Sequence, residues 1–199
     1  MQFRKTWGVF GVALLAMLAT APAAQASHEL EGFLVWYFPS TLELEPTNLE
    51  IDYQDTLGFG ARYGWRADGS PWGISISYSR VDLDSANPED FGCSTCDFNV
   101  DFADFSFDWY PGNRDWDLFG GLGWATGEFQ VDVPGVSNDR EISDDAFTWH
   151  IGTAYSWRIG QAFYLRPDAR VRFLQLDNAG QGKYDSEDFE LRLGFGWRF

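Results

Sequence analysis

Residues 189–199, FELRLGFGWRF, separate by parity. Phe189, Leu191, Leu193, Phe195, Trp197 and Phe199 alternate with Glu190, Arg192, Gly194, Gly196 and Arg198. A strand points successive side chains to opposite faces, so one face of this segment is wholly apolar and the other charged or bare. A strand with a greasy outer face, a polar inner face and an aromatic last residue has the pattern of a closing strand in a membrane β-barrel.

The first residues point to the compartment. Arg4 and Lys5 precede an apolar run from Trp7 to about Leu18, and Ala24-Gln25-Ala26 offers a small-x-small cleavage site. That combination reads as a secretory signal peptide over 1–26, with 27–199 as one barrel domain. The run is too short for a transmembrane anchor, and no other stretch approaches the roughly 18 apolar residues of a spanning helix. Beyond residue 26, twelve Lys and Arg stand against thirty Asp and Glu. A chain this acidic is a poor partner for nucleic acid or bare anionic lipid. Its 18 Phe and 10 Trp argue against disorder and need an apolar environment.

Seven further segments alternate in the same way, near 30–38, 56–66, 72–80, 102–110, 116–126, 147–157 and 163–174, before 188–199. Each is close to the roughly 9–11 residues with which a tilted strand crosses a bilayer. ADGSP, PGNRD and IGQA make three short Gly- or Pro-bearing connections, and the other four are long and acidic. Eight antiparallel strands joined by alternating short turns and long loops form an up-and-down transmembrane barrel with both termini periplasmic. The long connections hold 21 acidic residues against Arg80, Arg140 and Lys183. They read as a solvated extracellular crown, with divalent-cation binding the sharper alternative. Positions 177–188 match an EF-hand loop only at Asp177, Gly182 and Asp188, too few to expect a metal site.

The apolar face collects Trp36, Trp65, Trp72, Trp109, Trp116, Trp124, Trp149, Trp157 and Trp197, placed like aromatic belts at two membrane interfaces. The opposite face carries Glu31, Arg62, Arg66, Asp104, Asp108, Asp117, His150, Arg158, Arg166, Asp168, Arg170, Arg172, Glu190, Arg192 and Arg198, with Ser, Gly and Tyr164 between them. A soluble barrel with the apolar face inside fails on volume, because eight strands enclose an interior only just wide enough for their own side chains, and nine Trp with dozens of large apolar residues would not fit. With the faces reversed, paired charges plug the lumen. Pro167 falls inside the seventh segment, where its missing N–H predicts a local bulge.

LRLGFGWRF at the end, FGGLGWATG at 119–127 and YLRPDARVRFL at 164–174 resemble the small outer-membrane β-barrel domains of the OmpA-transmembrane and OmpX type. The resemblance covers Leu30–Phe199. It implies a monomer in the outer membrane of a Gram-negative-type envelope, among outer-membrane lipids and lipopolysaccharide. It also implies assembly through periplasmic chaperones and the outer-membrane assembly machinery, which reads a C-terminal aromatic signal, here Phe195, Trp197 and Phe199. Nothing follows Phe199 in the place of a peptidoglycan-binding domain, so no cell-wall tether is implied.

Two motifs bear on chemistry. Cys93 and Cys96, close together in a loop of an exported chain, are expected to form a local disulfide rather than a zinc site. His150 is the one candidate for acid–base catalysis. Lipid A deacylases pair such a His with a Ser close after it, and Ile151-Gly152-Thr153 supplies none. The expected role is therefore non-enzymatic, structural or surface-binding, without a cofactor. A narrow channel for ions or small solutes and a lipid A-modifying enzyme are the alternatives.

Overall fold

The computed structural model describes residues 26–40, 42–44, 49–51, 54–84, 95–112, 115–132, 140–178 and 182–199. Its strands are β1 (Ala26–Phe38), β2 (Leu42–Leu44), β3 (Leu49–Ile51), β4 (Thr56–Ala67), β5 (Trp72–Asp84), β6 (Thr95–Trp109), β7 (Trp116–Asp132), β8 (Arg140–Tyr155), β9 (Trp157–Ile159), β10 (Phe163–Asn178) and β11 (Gly182–Arg198). Neighbours along the chain pair antiparallel, and β11 pairs with both β10 and β1, so the sheet closes on itself. β8 and β9 are one barrel strand interrupted at Ser156, which makes eight strands around the wall. β2 and β3 form a small separate hairpin between β1 and β4.

Each of the three short turns carries a left-handed glycine, Gly69 (φ 74°), Gly112 (φ 61°) and Gly160 (φ 77°). Only a residue without Cβ takes that conformation cheaply, which is why these turns hold Gly. The closing seam ends in two backbone bonds, His28 N–H to the Phe199 carbonyl at 2.8 Å and Phe199 N–H to the His28 carbonyl at 2.9 Å.

Three expectations need correction. The strands run further towards the long connections than the alternation does. β10 and β11 stay paired out to Asn178 and Gly182, and β6 begins at Thr95. There the outer face meets water while Val81, Leu83 and Val100 turn inward, so backbone pairing continues although the outward apolar signal is lost. Second, Pro167 causes no bulge. It pairs in register with Leu193 of β11. Pairing with the other neighbour stops at Asp168–Ala154 and resumes at Leu165–Trp157 without a shift. The missing donor therefore faces β8 and β9, and the ladder has a gap there. The Ser156 N–H faces the other way and bonds the Asp115 carbonyl at 2.6 Å, in register with the β7–β8 ladder.

The third correction concerns the lumen, which is not wholly polar. Towards the long connections it is filled by Phe33, Val35, Tyr37, Val81, Leu83, Val100, Phe102, Ala125 and Ala146. On β1 they sit where the strand is apolar on both faces, FLVWYF at 33–38, whereas Val81, Leu83 and Val100 alternate with Asp82, Asp84 and Asp101. The outer surface is apolar and open: all nine Trp from Trp36 to Trp197 are exposed, together with Leu34, Phe59, Ile151 and Phe195. Trp72 stacks near Trp109 across β5–β6 (centroids 5.8 Å apart), and Trp149 lies flat on Phe173 at 3.7 Å.

Candidate functional site: the barrel lumen

Period-two geometry turns Arg166, Asp168, Arg170 and Arg172 of β10 inward beside Glu190 and Arg192 of β11. β1 adds Glu29 and Glu31, β4 Arg62 and Arg66, β6 Asp104 and Asp108, β7 Asp117, and β8 His150. All of these are buried. Gly positions on neighbouring strands make the room. A Cβ at Gly194 would meet Glu31 Oε1 at 2.3 Å, and one at Gly123 would meet Asp104 Oδ1 at 2.3 Å.

Arg172 is the centre of the network. Its Nη1 and Nη2 bond Asp104 at 2.7 and 2.8 Å, and its Nε bonds Glu190 at 2.6 Å. Its guanidinium lies 4.1 Å over the Phe102 ring. Arg192 bonds Glu190 at 2.5 Å, and Arg170 lies 3.4 Å from Asp168 and 3.5 Å from Asp104. A second cluster sits nearer the short turns. There Arg166 reaches Asp117 at 3.0 Å and Asp168 at 3.1 Å, while Arg62 reaches Glu29 and Asp108, each at 3.1 Å. Bidentate guanidinium–carboxylate pairs of this kind satisfy several donors at once, which a buried Arg requires.

Some sequence-predicted members lie elsewhere. Arg158 is half exposed at the short-turn rim and bonds Asp115 at 2.7 Å. Arg198 is partly buried at the same end, on Glu29 at 2.5 Å. Arg66 is buried there with no carboxylate paired to it among the described residues, its guanidinium 4.2 Å over the Tyr110 ring. The alternation places these three on the inner face but says nothing of their height. Glu29 and Asp188 went unpredicted. Asp188, read as a loop acid, is buried and accepts bonds from Tyr37 Oη and Ser186 Oγ. The signal for both was parity with Glu31 and Glu190 along their own strands.

His150 has a serine that local spacing could not reveal. Ser106 Oγ on β6 lies 2.8 Å from His150 Nε2, and Asp104 Oδ1 is 3.8 Å from Nδ1. The three have the outline of a nucleophile–base–carboxylate triad. All are buried, however, the His–Asp distance is too long for a hydrogen bond, and Asp104 is committed to Arg172. The arrangement offers a substrate no access. Among the described residues, no three of His, Cys, Asp and Glu are grouped to hold a metal ion. Cys93 lies outside the described residues, so its pairing with Cys96 does too, as do residues 1–25 of the expected leader and the loop acids Glu45, Asp52, Glu89, Asp90 and Asp139.

A closed antiparallel barrel, apolar outside and ionic within, is the form of an outer-membrane protein. The sequence matches the outer membrane protein beta-barrel domain family over residues 10–199. The chain belongs to that family. As a member of it, this barrel is an integral protein of the outer membrane, and the exposed Trp, Leu and Phe bands are its lipid surface. Three solved barrels share the fold. Ail of Yersinia pestis, in complex with the heparin analogue sucrose octasulfate, has 16% identity and a TM-score of 0.58 over 88% of this chain and 99% of its own. Neisserial surface protein A has 14% identity and a TM-score of 0.56, covering 87% and 99%. A major outer membrane protein of Thermus thermophilus has 12% identity and a TM-score of 0.61, also covering 87% and 99%. No curated protein sequence matches the chain.

Proposed function

We propose that this outer-membrane barrel is a sealed, non-enzymatic protein whose working surface is the acidic crown of long connections. The observation that carries the reading is the double filling of the lumen. Paired charges around Arg172 and Arg166 occupy the middle, and the Phe33–Val35–Phe102 cluster lies across the bore towards the crown. An ion would have to displace both, and the apolar layer offers it no ligands. Ail is solved with a sulfated polyanion. The crown of this chain is strongly acidic and is expected to repel such a ligand, so its partners are cationic surfaces or cation-bridged lipopolysaccharide. Short turns and termini on the periplasmic side, a monomeric state, a Cys93–Cys96 disulfide and delivery by the assembly machinery complete the reading.

Conductance of the folded protein in planar bilayers is the direct test. The intact protein should show no steps above the bare membrane, whereas Phe102→Ala combined with Arg172→Ala should begin to leak. Steady unitary steps from the intact chain would replace this reading with the narrow channel.

A further inference from the structure

Arg66 stands apart from the other inward guanidiniums. It is buried, its Nη1 has no hydrogen-bond partner, and no carboxylate is paired with it among the described residues. Arg166, Arg170 and Arg192 also have an unbonded nitrogen, but each is held by carboxylates through its others. Arg66 lines a pocket of about 140 Å³ at the short-turn end, with Ser27, Asp68, Arg158, Tyr164 and Arg198 among the lining residues. The pocket straddles the closing seam, where Ser27 pairs with Arg66 and Tyr164 pairs with Arg158 and Gly196.

Two further cations in this wall keep donors in reserve. Arg198 gives Nε and Nη2 to one oxygen of Glu29, and Arg158 gives Nε and Nη2 to one oxygen of Asp115. A guanidinium has five N–H donors, so each retains an uncommitted edge. Asp68 is the single acid of the lining. A buried Arg without a counter-charge is costly to keep, and an anion with several oxygens relieves the cost by bonding more than one guanidinium. Trp65, Trp157 and Trp197 are exposed on the outer face at the same level, which is the level of lipid headgroups.

We propose that this pocket binds phosphate groups, with Arg66 as principal contact and Arg158 and Arg198 at its edge. The phosphate belongs to a phospholipid headgroup or to free inorganic phosphate, and the chemistry of the site is the same for both. The test uses the full barrel folded in maltoside micelles. Inorganic phosphate is titrated against chloride at equal ionic strength, with 31P line broadening and the thermal unfolding midpoint as readouts. Phosphate should bind saturably and raise the midpoint where chloride does not, and Arg66→Gln should weaken that binding at least tenfold. In a second arm, the midpoint is compared between phosphatidylglycerol bilayers and uncharged glycolipid bilayers. An Arg66-dependent gain in phosphatidylglycerol identifies the headgroup as the source, and a gain with inorganic phosphate alone identifies the free ion. Equal responses of intact protein and Arg66→Gln to both probes would overturn the proposal. If Arg66→Gln does not fold, Arg158→Gln at the half-exposed rim decides instead: undiminished phosphate binding by that variant also overturns it.

Discussion

Arg172 shows how one residue can hold a barrel together. It is fully buried, bonds both oxygens of Asp104 and one of Glu190, and lies on the Phe102 ring. Removing one member of such a group leaves the other charge stranded. Arg172→Ala or Asp104→Ala should therefore each cost about 3–5 kcal/mol. Urea unfolding of refolded protein reads this directly, and a loss below about 0.5 kcal/mol for both variants would mean a wet lumen. The double variant should cost less than the two single losses added, because the residues share partners. Ser106→Ala tests the buried triad outline in a different way. It removes one neutral hydrogen bond, worth about 1 kcal/mol, and no hydrolytic activity should change with it.

Pro167 makes the same argument at the scale of a strand. β10 keeps its full ladder with β11 but has a gap opposite Tyr155 and Ser156. Pro167→Ala returns the missing donor at an aligned position. It should stabilise the barrel by about 0.5–1.5 kcal/mol and slow amide exchange around 155–157. Unchanged exchange there would show that the gap does not depend on the missing donor of Pro167. β11 carries the other strand-scale test. Deleting Phe199 removes two backbone bonds to His28 and a ring stacked on the His28 imidazole at 5.6 Å. Burial of such a ring is worth only about 1.5–3 kcal/mol. We expect the truncated chain to refold in detergent with a modest loss but to reach the cell surface far less, because recognition during assembly fails first. Equal surface levels of the two chains would make Phe199 an ordinary lipid-facing ring. The alternation made both strands legible as barrel strands, but the absence of a bulge at Pro167 depends on which neighbour its missing N–H faces, and a single strand's pattern does not carry that.

For the whole molecule, a lipid-facing apolar band and a closed ladder predict tight membrane insertion. The protein should stay with outer membranes through carbonate extraction and migrate differently on a denaturing gel before and after boiling. A carbonate-soluble protein with one mobility would contradict the barrel. The sequence by itself determined the strand count, the inward and outward faces and the three tight turns. Period two and glycine are local constraints, written into each segment wherever one face meets lipid. The tertiary structure decided what those faces enclose. It chose the partners of each Arg, moved Arg66, Arg158 and Arg198 to the rim, and brought Ser106 to His150 across three strands. It also filled the crown end of the bore with Phe33 and Phe102. Those outcomes depend on the relative heights of strands far apart in the chain, which closure and register fix and no single strand encodes.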